Sequence, residues 1–116
     1  MNKLLTSLLL WFALNIPLLA ASTSDEIEHL LSFVVSSGCS FERNGNSYDS
    51  TEARAHIQRK YDHLKNKISS TEDFIRYAAS KSSMSGRQYH STCNGQTITS
   101  EDWLTTELKR YRLQAG

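Results

Sequence analysis

The sequence predicts an α+β fold: one small domain of about four helices packed on a small antiparallel sheet of two Asn-Gly hairpins, with one disulfide. Three observations lead there. Asn44-Gly45 and Asn94-Gly95 each sit between short alternating segments, and Asn-Gly suits a type I′ turn because both central positions need positive φ. Four clusters of Ser, Thr and Asp with acidic residues precede runs of helical apolar spacing. Cys39 and Cys93 are the chain's 2 cysteines, one beside each hairpin.

The N-terminus reads as an export leader. Met1-Asn2-Lys3 is a short basic start, and Leu4 to Leu19 is apolar apart from Thr6, Ser7 and Asn15. Pro17 breaks the run, and Ala20-Ala21-Ser22 offers small residues to a peptidase. The apolar stretch falls short of the roughly 20 residues that span a bilayer as a helix. Residues 1–21 are therefore assigned to a signal peptide and 22–116 to a single domain, with no membrane span after cleavage. No cysteine stands at the cleavage point to carry a lipid. Once Lys3 is removed, the 13 basic residues fall to 12 against 12 acidic ones. That balance argues against nucleic acid and anionic lipid as partners. A periplasmic or secreted location in a bacterium is expected. In such an oxidising compartment Cys39 and Cys93 are expected to bond, and closing a loop of this length contributes about 4 kcal/mol.

Along the domain, Thr23 with Glu26 reads as a capping box, followed by Ile27, Leu30, Leu31 and Val34, with Phe33 and Val35 widening the stripe. Gly38 stops this helix. Cys39 and Phe41 share a strand face before the first hairpin turn, and Asn46 to Tyr48 returns. Asp49-Ser50-Thr51-Glu52 caps the longest helix, from about Ser50 to Lys67, with Ala53, Ile57, Tyr61, Leu64 and Ile68 as its apolar stripe. Arg54, Arg59, Lys60, Asp62, Lys65 and Lys67 fall on its charged sides. Ser70 opens a short helix with Phe74, Ile75, Ala78 and Ala79 inward. A serine-rich loop, Ser80 to Gly86, leads into a strand that puts Tyr89, Ser91 and Cys93 on one face. After the second turn, Thr99-Ser100-Glu101-Asp102 caps a last helix with Trp103, Leu104, Leu108 and Tyr111 apolar. Its C-terminal Lys109, Arg110 and Arg112 suit the helix dipole.

The run Ser37-Gly38-Cys39-Ser40-Phe41-Glu42-Arg43-Asn44-Gly45, with Tyr48, Ala53, His56 and Lys60-Tyr61, resembles the YfeK-like family of small exported bacterial proteins. So do Phe74-Ile75, Ala79 to Gly86, Tyr89, Cys93 and Trp103-Leu104. The resemblance covers nearly the whole domain. It implies export, paired cysteines and a compact single domain; the family is a domain of unknown function and implies no site residue.

No motif fixes a reaction, and no cofactor or metal is expected. The chain has no Cys-x-x-Cys, and the domain has no Gly-x-Ser-x-Gly or Ser-x-x-Lys. The sharpest polar motif is Phe-x-Arg-Asn-Gly at 41–45. It is either a plain hairpin turn or a guanidinium held at a strand end for a bidentate anion. His56, Lys60 and His63 fall on one side of the long helix, as a polar border or as part of a metal or anion site, where Lys60 would repel a cation. The serine loop either caps turn groups or lines a ligand. The expected ligand site joins Arg43, Asn44, His56, Lys60, Ser83, Ser85 and Tyr89, with His56 protonated and an anionic ligand. The function expected is a periplasmic binding or accessory module for a protein, a cell-wall fragment or a small anion. The alternatives are a small hydrolase using a His base and a loop serine, and a structural or stress-protective protein with no ligand site.

Overall fold

The computed structural model describes residues 21–115, so the expected signal peptide lies, but for Ala21, outside the described residues. The first helix, α1 (Thr23–Ser37), is capped by Ser22 and not by Thr23. Ser22 Oγ accepts from Asp25 N at 3.1 Å, and the Asp25 carboxylate accepts from Ser22 N at 3.4 Å. The capping box thus begins one residue earlier than the sequence reading places it. Glu26, no longer needed at the box, turns inward and is buried. Ile27, Leu30, Leu31 and Val34 form the buried stripe, and Gly38 ends the helix at φ 66°.

Strands β1 (Ser40–Arg43) and β2 (Asn46–Tyr48) join through Asn44 and Gly45, at φ 51° and 82°. Helix α2 (Ser50–Leu64) follows, its N-cap Asp49 accepting from Glu52 N at 2.8 Å. One 3-10 turn, Lys65–Lys67, completes the long helical segment. Helix α3 (Thr71–Ala78) starts at the Ser70 cap and buries Phe74, Ile75 and Ala78. Strands β3 (His90–Cys93) and β4 (Gln96–Thr99) turn through Asn94 and Gly95, at φ 52° and 79°. Helix α4 (Ser100–Ala115) begins where Thr99 Oγ1 accepts from Asp102 N at 3.2 Å.

The sheet order is β2-β1-β3-β4, antiparallel throughout, so the two hairpins meet through their inner strands. Phe41 stands opposite Ser91 in that pairing. One residue beyond its end, Cys39 and Cys93 are bonded, with Cα atoms 4.7 Å apart. Phe41 and Tyr89, both nearly inaccessible, carry the sheet into a core of Leu30, Ile57, Phe74, Leu104 and their neighbours.

Two features depart from the expected packing. In α2 only Ala53 and Ile57 are buried; Tyr61 and Leu64 are half-buried, with Tyr61 packed edge-on against Phe74 at the rim of the core. Arg112 is more than a dipole-matching surface cation. Its Nε and Nη2 donate to Glu26 at 2.8 and 3.0 Å, and its Nη1 and Nη2 to Glu72 at 2.7 and 3.1 Å. Thr71 Oγ1 also donates to Glu26, at 2.6 Å. One guanidinium therefore ties α4 to α1 and α3, and it holds the Glu26 carboxyl below the usual carboxylate range. Nearby, the buried Glu107 takes Arg110 and His29, with His29 Nε2 at 2.6 Å.

Three substitutions have expected outcomes. Ile57→Ala should cost about 2–5 kcal/mol in denaturant unfolding, because Ile57 lies wholly in the core. Leu64→Ala should cost less, under about 2 kcal/mol, since Leu64 is only partly buried. Arg112→Gln should cost about 1–2 kcal/mol at pH 7, less than a fully buried pair because the guanidinium is partly solvated. A carboxyl whose folded pKa is lowered stabilises the fold above its unfolded pKa. That stability is lost as pH falls through the folded value. The gap between wild type and Arg112→Gln should therefore close on acidification toward pH 3, as measured by unfolding across pH.

Candidate functional site

Alternation along β1 puts Arg43 on the same side as Phe41, facing the helices but beyond the end of the packed core. Helix α2 crosses that end. Its Ile57 goes into the core, while His56 and Lys60, one residue back and three residues on, stay at the edge, half-buried. The segment before β3 contributes Tyr89, whose ring packs against Phe41 at 5.3 Å between centroids. Its hydroxyl reaches out of the core to the edge occupied by His56 and Lys60.

These parts meet. Arg43, Asn44, His56, Lys60, Ser83 and Tyr89 line one cleft of about 280 Å³, together with Ser82 and Met84. Ser85, the seventh expected residue, is not part of the lining. Its hydroxyl donates to Asn44 Oδ1 at 2.7 Å and so positions the Asn44 side chain.

The cleft turns on the Tyr89 hydroxyl. Lys60 Nζ donates to it at 3.2 Å and to the Lys81 carbonyl at 2.6 Å. His56 Nε2 lies 3.1 Å from the same oxygen, and a neutral imidazole there can accept the hydroxyl proton. Arg43 is half-buried, donates to Tyr48 Oη at 3.3 Å and stacks 4.9 Å over the Tyr48 ring. The guanidinium is thus held by a phenol and not by a carboxylate. Among the described residues neither Arg43 nor Lys60 has a carboxylate oxygen within 4 Å, whereas Arg54, Arg110 and Arg112 do.

The electrostatics correct one expectation. His56 is not protonated at neutral pH in the free protein. Burial, then the charges of Arg43, Lys60 and Arg59, push its pKa from 6.5 down to about 4. Burial and Arg43 push the Lys60 ammonium down as well. Burial raises the Tyr89 phenol, partly offset by Arg43, so Tyr89 keeps its proton. The positive field comes from Arg43 and Lys60, with Arg59 nearby.

The serine loop is folded on itself. Ser82 N donates to the Arg87 carbonyl at 2.9 Å, and Tyr89 N to the Ser80 carbonyl at 2.8 Å. Ser82 Oγ accepts from Met84 N and Ser85 N, capping a turn. Among the described residues no loop serine hydrogen-bonds His56 or His90, the contact a serine hydrolase needs. His56 is engaged with Tyr89, and His90 Nδ1 stands 3.9 Å from Glu42. No group of three or more His, Cys, Asp and Glu among the described residues could hold a metal ion.

Sequence reasoning missed three contributors. Arg59 was placed on the solvated side of α2, yet with His63 and Leu64 it borders the site through an adjoining trough. The i, i+3, i+4, i+7 spacing of His56, Arg59, Lys60 and His63 was the available signal. Tyr48, in the sequence simply the end of the return strand, carries Arg43. The Lys81 carbonyl anchors Lys60, and no side-chain pattern announces a backbone acceptor. A separate depression of about 260 Å³ between α3 and α4 includes Arg112 and Glu72. Its Arg112 is already paired with Glu26 and Glu72, and Glu72 and Glu101 line the depression beside Arg76 and Lys109, so its charges are closer to balance than those of the Tyr89 cleft.

Among the described residues no helix is long and apolar enough to cross a membrane. No solved structure matches the chain. It is 39% identical over 49 residues to the uncharacterized protein YfeK of Salmonella typhimurium, a match that takes in 42% of this chain and 41% of that protein. The model of the family of unknown function DUF5329 matches residues 21–112. The chain belongs to that family.

Proposed function

We propose that this chain is an exported binding module, working outside the bacterial cytoplasm, whose cleft at Tyr89 takes an anionic group. One observation carries the reading: Arg43 and Lys60 converge on a cleft of about 280 Å³ with no carboxylate partner among the described residues, in a domain that pairs several other cations. A partly buried cation without a counter-ion favours an anion that supplies one, and charge-assisted hydrogen bonds are stronger than neutral ones. Asn44 and Ser83 add neutral polar groups beside the cations. The leader pattern and the Cys39–Cys93 bond support the extracytoplasmic setting.

The neutral His56 makes this binding pH-linked. The groups around it are Arg43 from β1, Tyr48 from β2, Glu52, Arg59 and Lys60 from α2, and Tyr89 before β3. Burial first, and then the cations there, which outnumber the one carboxylate, keep the ring deprotonated in the free protein. An anion in the cleft raises the His56 pKa, so binding takes up a proton and strengthens as pH falls.

Sulfate tests this, because it stays a dianion from pH 7 to 5. Calorimetric titration should show binding that tightens about three- to tenfold from pH 7 to pH 5. Arg43→Ala should weaken it about tenfold at either pH. The thermal midpoint should change little, because Arg43 lies outside the packed core and its contacts there are one hydrogen bond to Tyr48 and stacking on the Tyr48 ring. No sulfate binding at millimolar concentration, or unchanged binding by Arg43→Ala, would contradict the reading.

A further inference from the structure

Beside the anion cleft lies a trough of about 340 Å³, lined by His56, Arg59, Lys60, His63, Leu64 and Ser83. It shares His56, Lys60 and Ser83 with the cleft, so the two form one continuous depression. Their chemistry differs. The cleft brings together a guanidinium, an ammonium, an amide and a phenol. The trough presents mostly carbon: the half-buried Leu64, the face of an imidazole, and the methylene stems of Arg59 and Lys60, whose charged ends can stay in water. Across the mouth, Met84 is 98% exposed, a large apolar side chain with no protein contact to justify it. An unbranched thioether in that place can fold over an apolar group that enters the depression.

We infer that the ligand is an amphipathic anion: an acidic head group bonded directly to one aromatic ring or a short alkyl chain. The head sits between Arg43 and Lys60, and the apolar part lies in the trough against Leu64, with Met84 at the rim of the adjoining cleft. This rests on the anion-cleft reading above and adds the class of ligand to it. Three observations support it independently of charge: the shared walls, the carbon lining and the uncovered methionine. At about 340 Å³ the trough lies at the small end of the range for ligand pockets, large enough for one ring or a short alkyl chain.

Methanesulfonate and benzenesulfonate carry the same head group and charge, and differ in the apolar part. Both are titrated into the oxidised protein at pH 6, with Leu64→Ser and Met84→Ser as variants. Benzenesulfonate should bind about tenfold tighter than methanesulfonate, the increment expected from burying part of a ring. Leu64→Ser and Met84→Ser should each reduce that preference, read as the ratio of the two sulfonate affinities. Met84 is fully in solvent, so its variant tests the site without threatening the fold. Equal affinities for the two sulfonates would overturn the amphipathic ligand and leave the anion cleft standing. A preference that survives both substitutions would overturn its placement in the trough. No binding of either sulfonate would overturn both readings.

Discussion

β1 and β3 pair antiparallel at the centre of the sheet, and the Cys39–Cys93 bond closes that pairing just past its end. Almost everything else depends on this junction. Each hairpin alone is two short strands with an Asn-Gly turn, too small to be stable in water. Joined, they make a four-stranded sheet with one face for the helices. The junction also decides what can become a site. It sets the strand that ends at Arg43 beside the segment that begins with Tyr89. The crosslink spans a sequence separation of 54, so the unfolded chain loses much entropy to it.

Tyr89 converts that scaffold into a polar edge. Its ring is core, packed on Phe41, and the residue as a whole is 1% exposed. Only the hydroxyl faces the cleft, where it receives Lys60 and meets His56. A rigid, buried ring thus fixes two helical side chains that solvent would otherwise leave free. The same burial keeps His56 neutral between cations. Elsewhere charge is handled in the opposite way. Glu26, Glu72 and Arg112 neutralise one another across three helices, and Glu107 does the same with Arg110 and His29. The domain is balanced in total charge, but the balance is unevenly distributed, and among the described residues Arg43 and Lys60 are the partly buried cations without a carboxylate partner.

Local signals in the sequence carried most of the fold. Both Asn-Gly turns, the caps at Asp49, Ser70 and Thr99, and the Gly38 stop depend on two to four neighbouring residues and could be read directly. Where two neighbours qualify equally, as Ser22 and Thr23 do, the position slipped by one. The clustering of Arg43, Asn44, His56, Lys60, Ser83 and Tyr89 was legible through connectivity, because the disulfide implied which strands meet. Long-range polar pairing was not. Glu26 and Arg112 lie 86 positions apart and His29 and Glu107 78 apart, and nothing near either partner announces the other. The trough at Leu64 was hidden for a related reason. Periodicity says which residues share a helix face, but not where along that face the packed core stops covering it. The neutrality of His56 likewise depends on burial, which is a property of the assembled fold.

The central claim is that the Tyr89 cleft places a neutral imidazole between cations that have no carboxylate of their own. The most direct measurement is the ring titration of His56 by NMR in the free, oxidised protein, with sulfate and phosphate excluded from the buffer. The His56 midpoint is expected near 4. A midpoint at the ordinary histidine value of 6.5 would contradict the claim, because it would mean that neither burial nor Arg43 and Lys60 act on the ring.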